Sequence, residues 1–259
     1  MLPLQDIRVL DFSTLLPGPL ASLILAEAGA EVIKVERPGA GEDMRGYPPK
    51  LGAESASFAI LNRGKRALAL DLRAPGAAAS LLALAPTIDI VLEQFRPGVM
   101  ARLGLGYEAW HAANPRILYC AITGYGQDGP RASEAGHDLN YQAGAGILAL
   151  VVGTDGSPGM PSTLAGDIAG GTYPAVINLL LALRRRDRTG EGCFIDVAMA
   201  ENLLTFQFLG LAMGQGAVTG PTVRAMLGLA DRGRIYDLLE HTLSGRSADA
   251  LAAMDGLYR

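Results

Sequence analysis

The sequence of 259 residues has only two cysteines, whereas secreted domains held together by disulfides have many. It also has no excess of the cationic residues that bind nucleic acid. Its two cysteines, Cys120 in a predicted strand and Cys193 near another, lie in apolar surroundings, and we interpret both as small core residues. The formal net charge is -4, and the basic run at 184–188 follows an apolar helical segment, which favours a solvated helix end. We therefore expect no nucleic-acid partner.

Long apolar runs are also absent. No uninterrupted apolar stretch reaches the roughly 20 residues that span a bilayer, and the opening MLPLQD has no charged segment followed by an apolar one. These features predict a cytoplasmic chain with no membrane partner. Because 49% of the residues are hydrophobic, the chain has ample material for a core, and we expect a globular, enzyme-sized protein.

Apolar runs of strand length alternate with helical segments along the chain. The predicted strands lie at 7–12, 31–35, 67–72, 89–93, 117–122 and 193–197, and the first two enclose a helix that ends near Gly29. This alternation predicts an α/β fold. The first strand-to-helix turn, STLLPGP, lacks the G-x-G-x-x-G fingerprint of dinucleotide-binding proteins, so NAD and FAD are not expected.

The stretch 123–146 concentrates glycines, turn residues and one of the three histidines. It follows the predicted strand at 117–122, and the carboxyl ends of parallel strands are where open sheets bind ligands. His137 and Asp138 precede an apolar segment, 139–151, that suits a buried helix. Asp138 alone is more often a helix cap than a functional group, whereas histidine is the side chain that titrates near neutrality. We interpret the stretch as the floor of an active site.

Two further polar motifs interrupt apolar sequence. Asp167 lies between glycines, which leave its carboxylate uncrowded and allow a ligand or another backbone to approach, although it also suits a helix cap. The turn Arg63-Gly64-Lys65-Arg66 carries three cations beside a predicted strand. It suits phosphate binding and an exposed basic turn about equally.

Seven motifs, in order and with their spacing, resemble family III CoA-transferases, the CaiB/BaiF family, over about residues 4–210. They are LDFSTLLPGPLASLILAEAGAEVIKVERP, LNRGKRALALDLR, FRPGVMARLGLGYE, YCAITGYGQDGP, AGHDLNYQA, LAGDIAGG and RTGEGCFIDVAMAEN. Within that family, the segment GHDLNY at 136–141 is similar to the version found in α-methylacyl-CoA racemases, whereas transferase members usually lack this histidine.

The resemblance implies a Rossmann-like, open, mostly parallel sheet flanked by helices, which forms the large domain of the family fold. It implies an acyl-CoA substrate, with coenzyme A entering as part of that substrate, and neither a permanently bound cofactor nor a metal. It also implies a homodimer. The residues that it places around coenzyme A are Arg37, Leu70, Arg73, Gln94, Phe95, Arg96 and Arg102, with Arg96 near the pyrophosphate or the active site.

For the chemistry, the resemblance implies His137 and Asp167 at the reacting carbon, with Asp138 in support. Racemising a 2-methylacyl thioester needs one base on each face of the α-carbon, which His137 and Asp167 would supply. Two alternatives remain open. In a CoA-transferase, Asp167 acts as a nucleophile and forms an aspartyl-CoA thioester. In an inactive remnant, the fold binds coenzyme A without turnover.

Members of this family continue for a hundred residues or more beyond the length of this chain. We therefore expect a CoA-binding α/β large domain over 1–215. A linker and a short helical tail over 216–259 are expected in place of the family's small domain, which puts the activity and the dimer of the shortened chain in question.

Overall fold

The structure, a computed structural model, describes residues 1–151 and 159–207. One compact unit spans Met1–Thr205. The expected division between 215 and 216, and the linker and tail over 216–259, lie outside the described residues and stay predictions.

The described residues form eight strands. In chain order they are β1 (Arg8–Asp11), β2 (Glu31–Glu36), β3 (Lys50–Leu51), β4 (Glu54–Ser55), β5 (Arg66–Ala69), β6 (Ile90–Glu93), β7 (Leu118–Thr123) and β8 (Cys193–Ala198). Strands β3 and β4 pair as a small antiparallel hairpin. The other six form one parallel sheet in the order β5-β2-β1-β6-β7-β8, which confirms the α/β, Rossmann-like expectation.

Helices pack on this sheet. They are α1 (Pro17–Glu27), α2 (Ala56–Asn62), α3 (Ala77–Leu82), α4 (Val99–Arg102), α5 (Tyr107–Ala113), α6 (Asp138–Gly144), α7 (Tyr173–Thr189) and α8 (Met199–Asn202). Short 3₁₀ turns lie at Asp43–Gly46, Ala85–Thr87, Ile147–Leu150 and Leu203–Gln207, and a π-helix at Gly166–Thr172.

The central strands are apolar on both faces because both faces are covered. Val9 belongs to the cluster beneath α1 and α7, whereas its neighbour Leu10 belongs to the cluster on the opposite face, around Trp110. All six residues of β7 are buried. Continuous apolar runs of this kind are typical of parallel sheets, which is why the strands could be predicted from sequence.

Three predicted local structures differ from the observed ones. The helix expected over 139–151 stops early, because Gly146 has a positive φ of 77° and separates α6 from a 3₁₀ turn. The apolar segment from Met199 to Gly210 predicts one helix, but within the described residues it forms α8 and a 3₁₀ turn. The glycines and prolines in the segment up to Ser57 predict a loop, but this segment contains the β3–β4 hairpin and the start of α2.

The ligand crevice of such a sheet lies where the strand order reverses. That point is between β1 and β6, which pair directly. The loops that leave their carboxyl ends therefore stand side by side. They comprise the residues after Asp11, up to the start of α1, and the residues after Glu93, up to the start of α4.

A buried cluster of charges lies beneath the loop after β1. The carboxylate of Asp11 is fully buried and accepts hydrogen bonds from the Ser13 N–H at 2.8 Å and from the Ser22 hydroxyl at 2.5 Å. The ammonium of Lys34 donates to the Ser13 carbonyl at 2.7 Å and lies 2.7 Å from Glu42 Oε2. This contact is an ion pair between two side chains that are each 2% exposed.

The second lysine of this cluster is Lys65, from the basic turn at 63–66. Its side chain is 2% exposed; the ammonium lies 3.5 Å from Asp11 Oδ2 and donates to the Pro19 carbonyl at 2.9 Å. Burial lowers the pKa of Lys65 to about 8, although the Asp11 carboxylate opposes the shift. The other two cations of the turn form surface ion pairs, Arg63 with Glu27 and Arg66 with Glu31. All three cations of the turn are therefore paired within the protein, which argues against the turn as a phosphate-binding site.

Helix α7 is joined to the amino-terminal ends of β1 and β6 by a buried arginine. Arg186 is buried and its guanidinium lies 2.9 Å from Asp89, which also accepts the Arg8 N–H at the start of β1. The expectation of a solvated helix end is therefore wrong for Arg186, because its charge is neutralised inside the protein.

The π-helix and α7 together, Gly166–Thr189, are long and apolar enough to span a membrane by length and composition. Half of that segment is buried inside the fold, where Leu179 and Leu183 belong to the core beneath the sheet. A core helix of an α/β layer passes the same test, and this packing favours that interpretation.

The Lys34–Glu42 pair yields a prediction for stability. We expect Lys34→Met to lower the free energy of unfolding by about 3–5 kcal/mol, because it leaves buried carboxylates without their counter-ion. The double variant Lys34→Met/Glu42→Leu should recover much of the loss. Urea unfolding of the wild type, both single variants and the double variant measures the coupling. Additive effects, within about 0.5 kcal/mol, would contradict the pairing.

Candidate active site

A cavity of about 270 Å³ opens at the carboxyl edge of the sheet, where the strand order reverses. Its walls come from the loops after β1, β6 and β7, from the start of α6 and from the π-helix. Its lining residues are Thr14, Leu15, Pro17, Gln94, Phe95, Arg96, Pro97, Ile122, Thr123, Gly124, Ala132, Glu134, Ala135, Gly136, His137, Tyr141, Asp167 and Met199. We call this the acyl cavity.

The structure brings His137 and Asp167 together in the acyl cavity, although 30 positions separate them in the chain. His137 is the N-cap residue of α6, and its backbone N–H donates to Asn140 Oδ1 at 2.9 Å. Its side chain is solvent-exposed on the cavity rim. The predicted position of a histidine at a helix start, facing the crevice, is therefore confirmed, whereas its catalytic role stays a prediction.

Asp167 lies in the first turn of the π-helix, and not at the helix cap that the sequence also suited. The π-helical winding is visible in the Tyr173 N–H, which bonds to the Ile168 carbonyl five residues back. The side chain is half-buried, and burial raises the pKa of Asp167 to about 6, with a further rise from the nearby Asp138 carboxylate. At neutral pH this carboxyl takes up a proton more readily than an ordinary aspartate does.

The π-helix is held in place by contacts with its neighbours. Thr172 donates its hydroxyl to the Pro17 carbonyl at 2.9 Å, and Asn202 of α8 donates to the Gly170 carbonyl at 2.8 Å. A Cβ on Gly170 would lie 2.5 Å from the Met199 carbonyl oxygen, so only glycine allows this approach. These contacts fix the backbone that carries Asp167.

Asp138 is the first residue of α6 and is buried, so the interpretation of Asp138 as the N-cap is wrong. One of its oxygens accepts the backbone N–H of Asp167 at 3.0 Å, and the other accepts from the Gln142 amide at 2.5 Å. It does not line the acyl cavity. Its carboxylate instead connects α6 to the π-helix and sets the position of Asp167.

Tyr141 closes the inner wall of the acyl cavity. Its hydroxyl donates to the Gly136 carbonyl at 2.6 Å. Its ring leaves no room for side chains at Gly124 and Gly136, where an added Cβ would meet the ring at 2.6 Å. The glycines of this loop therefore allow the Tyr141 ring to pack against the backbone and line the cavity. Tyr141 was not identified from the sequence as part of the site.

A second cavity, of about 730 Å³, adjoins the loops after β1, β2, β5 and β6. We call it the nucleotide cavity. Its lining residues are Phe12, Thr14, Val35, Glu36, Arg37, Gly41, Glu42, Asp43, Leu70, Asp71, Leu72, Arg73, Phe95, Val99, Arg102 and Leu103. Five of the seven residues expected around coenzyme A line it, namely Arg37, Leu70, Arg73, Phe95 and Arg102.

The other two expected residues lie elsewhere. Gln94 and Arg96 line the acyl cavity and not the nucleotide cavity. The side-chain oxygen of Gln94, Oε1, accepts the Gly18 N–H at the start of α1, 3.0 Å away. Its position therefore differs from the expectation, whereas that of Arg96 agrees with a place near the active site.

Arg37 is already engaged in the structure. Its guanidinium forms an ion pair with Asp43 and donates to the Gly41 carbonyl at 2.5 Å. A phosphate ligand would have to compete with Asp43 for this cation. No ion pair is formed by Arg73 or Arg102 within the part of the chain that the structure describes, and both are exposed.

Thr14 and Phe95 line both cavities, so the two adjoin at the loops after β1 and β6. Beside Thr14, Leu15 has a φ of 62°, a left-handed conformation that non-glycine residues rarely adopt. Sequence patterns carried no signal for Leu15, because backbone strain of this kind depends on the packing around it. Strain at a cavity wall is typical of functional sites.

No group of three or more histidine, cysteine, aspartate and glutamate side chains is placed to hold a metal ion within the described residues.

The chain is similar to known proteins over most of its length. The model of CoA-transferase family III matches residues 4–238. A model named DNA polymerase III subunits gamma and tau domain III matches residues 218–259, outside the described structure. The two matches overlap over 218–238, and residues 239–259 are matched by the second model alone.

Three similar proteins illustrate the range of the family. Mouse (Mus musculus) succinyl-CoA:glutarate CoA-transferase is 41% identical over 208 residues, which cover 80% of this chain and 47% of that protein. Human (Homo sapiens) alpha-methylacyl-CoA racemase is 40% identical over 198 residues, 76% and 48% of the two chains. The crystal structure of a CAIB/BAIF family protein from Brucella suis has a TM-score of 0.76 and 34% identity, covering 84% of this chain and 59% of that one. The chain thus spans about half the length of the curated relatives it matches.

The contact between Asp138 and Asp167 yields a prediction for the Asp167 pKa. In Asp138→Asn the amide oxygen can still accept the Asp167 N–H, but the negative charge that raises the pKa is gone. We therefore expect the pKa of Asp167 to fall from about 6 toward the ordinary aspartate value. Carboxyl-carbon NMR titration measures it. The matched variant Asp43→Asn, in the nucleotide cavity, should leave it unchanged, and an unchanged pKa in Asp138→Asn would contradict the contact.

Proposed function

The chain belongs to CoA-transferase family III, and from that membership we propose that it acts on acyl-CoA thioesters as an α-methylacyl-CoA racemase. The observation that carries this proposal is that His137 and Asp167 line one small cavity. An imidazole and a carboxylate beside one carbon are the pair that two-base racemisation requires.

In the proposed reaction, one base removes the α-proton of a 2-methylacyl-CoA and leaves an enolate of the thioester. The other base then delivers a proton to the opposite face of that carbon. Each base ends in the protonation state from which the other started, so one base must be protonated while its partner is not. The pKa of Asp167, about 6, suits this exchange because both of its protonation states are accessible close to neutral pH.

The enolate oxygen needs hydrogen-bond donors in place before the proton leaves. The first turn of a helix has backbone N–H groups without intrahelical partners, and α6 begins at the acyl cavity. In the π-helix the N–H groups of Asp167 and Ile168 already donate to Asp138 Oδ1 and to the Leu164 carbonyl, so α6 is the proposed source of donors. Donors of this kind contribute about 3 kcal/mol each to stabilising such an oxyanion.

The nucleotide cavity supplies the proposed site for the coenzyme A moiety. Arg37, Arg73 and Arg102 line it, and guanidinium groups bind phosphates through charge-assisted hydrogen bonds. The residues shared with the acyl cavity, Thr14 and Phe95, would flank the pantetheine arm between the nucleotide and the thioester. On this proposal coenzyme A is part of the substrate, and the chain holds no resident cofactor.

A CoA-transferase is the second candidate, and the half-buried carboxylate of Asp167 favours it independently of His137. Asp167 would attack the thioester carbonyl and expel the CoA thiolate, giving a mixed anhydride. The thiolate would then attack the aspartyl carbonyl, releasing the acyl group as a carboxylate and leaving an aspartyl-CoA thioester. The relative named succinyl-CoA:glutarate CoA-transferase has a name that fits this reaction.

His137 distinguishes the two candidates. We expect His137→Ala to reduce racemisation of a 2-methylacyl-CoA at least ~100-fold, because one of two bases is lost. Incorporation of deuterium at the α-carbon in deuterated water, followed by mass spectrometry, measures it. His111→Ala is the matched control, since His111 on α5 lines neither cavity. Unchanged incorporation in His137→Ala would remove the racemase proposal.

The transferase candidate has its own test. Hydroxylamine added during turnover with an acyl-CoA and a free carboxylic acid should convert Asp167 to its hydroxamate, identified by peptide mass. Absence of that product, together with loss of deuterium incorporation in His137→Ala, would leave the racemase as the supported function. A chain that binds coenzyme A but supports neither reaction would be the inactive remnant.

Binding of coenzyme A tests the nucleotide cavity separately from the chemistry. We expect Arg102→Met to raise the Kd for coenzyme A by about 10- to 100-fold, because a charge-assisted hydrogen bond contributes roughly 1.5–3 kcal/mol. Calorimetric titration measures the Kd. Arg66→Met is the matched control, since Arg66 lines neither cavity and pairs with Glu31. Equal losses in both variants would argue against the assigned cavity.

A further inference from the structure

Strand β6 ends in a buried carboxylate that the proposed chemistry does not use. Glu93 is 5% exposed. It pairs in register with Ala121 of β7, which in turn pairs with Asp196 of β8. A buried carboxylate at the carboxyl edge of a sheet costs free energy unless it makes a compensating contact.

The contact that Glu93 makes is to the backbone two residues ahead. Its Oε2 accepts the N–H of Phe95 at 2.6 Å. Gln94, which lies between Glu93 and Phe95, makes a second contact. Its side-chain oxygen accepts the Gly18 N–H at the start of α1. The turn 94–96 is therefore held at two points, one on β6 and one on α1.

This turn lies where the two cavities adjoin. Phe95 lines both of them, and Gln94 and Arg96 line the acyl cavity. A shift of the Phe95 backbone would move the shared wall and both neighbouring side chains at once. A displacement of about 1 Å in such a wall is enough to impair a reaction about 100-fold.

We propose that Glu93 is a positioning residue whose side chain holds the 94–96 turn, and with it the wall shared by the acyl and nucleotide cavities. The consequence for acyl-CoA binding rests on the proposed function. The consequence for the backbone of the turn rests on the structure alone.

The charge state of Glu93 gives this role a pH dependence. Burial raises the pKa of Glu93 to about 7, the Phe95 N–H opposes the rise, and the Asp196 carboxylate adds to it. Among the described residues, Tyr119 and Cys120 of β7 are also close enough for the Glu93 charge to raise their pKa, although Cys120 lies on the opposite face of the sheet from Tyr119. An ionised carboxylate is a stronger hydrogen-bond acceptor than a protonated one. The hydrogen bond from the Phe95 N–H to Glu93 therefore becomes stronger as pH rises through about 7.

Stability should move in the opposite direction. Because the pKa of Glu93 is raised in the folded state, the folded protein binds more protons than the unfolded chain between about pH 4.5 and 7. Stability therefore falls as pH rises through that window, and Glu93→Gln, which cannot ionise, should lack this loss.

Amide hydrogen exchange of Phe95 is the direct test, with two variants. Glu93→Leu removes the acceptor, and we expect exchange at Phe95 to accelerate about 10-fold or more. Glu93→Gln keeps an acceptor oxygen. Its protection factor at Phe95, which is the exchange rate relative to the intrinsic rate at each pH, should stay within about threefold of the wild type and should not vary with pH near 7. The control Asp196→Asn removes the neighbouring charge and should leave Phe95 protected.

Steady-state kinetics with an acyl-CoA is the second readout. Glu93→Leu should raise KM about 10-fold, and Glu93→Gln should largely restore it. Wild-type protection of Phe95 in Glu93→Leu would overturn the proposal. If that variant does not fold, protection of Phe95 in the wild type that is independent of pH from 5 to 9 would overturn it. Absence of turnover in the wild type would count against the proposed function, while amide exchange would still decide the role of Glu93.

Discussion

The crevice depends on charges buried beneath the first strand-to-helix connection. Asp11 ends β1 and holds the backbone and the hydroxyl of Ser13, while Lys34 from β2 holds the Ser13 carbonyl. The loop that follows carries Thr14 and Leu15 into the acyl cavity. A left-handed leucine costs about 1–2 kcal/mol, and it persists only where surrounding contacts determine the backbone. The buried ion pairs provide those contacts. The shape of the acyl cavity therefore depends on charged groups that lie beneath the loop after β1.

Much of the fold could be predicted because it depends on local pattern. Parallel strands covered on both faces are continuous apolar runs, and the predicted ends of all six lie within three residues of the observed ends. His137 and Asp167 could be singled out because their residue types stand out against glycine-rich surroundings, and their convergence in one cavity follows from the parallel sheet. The catalytic roles of both residues stay predictions.

The parts that could not be predicted depend on contacts between distant segments. The π-helix at Gly166–Thr172 is held by Pro17, Asp138 and Asn202, none of which is near it in sequence. Gly146 ends α6 through its positive φ, which an apolar pattern does not reveal. Gln94 was expected beside the nucleotide, but the N–H of Gly18 draws its side chain toward α1. Hydrogen-bond partners that are set by tertiary packing cannot be inferred from the periodicity of the sequence.

The π-helix has a consequence for how this chain can vary in length. Its wider winding accommodates one residue more than an α-helix would over the same rise, and it runs directly into α7. A single-residue deletion in α7 before Leu179 would rotate the rest of that helix by about 100° relative to Asp167. Either Asp167 would turn away from the acyl cavity, or α7 would withdraw Leu179 and Leu183 from the core. A deletion in the π-helix after Asp167 would instead restore ordinary winding over the same rise and keep the flanking segments in register, so a lost residue is tolerated better there than in α7.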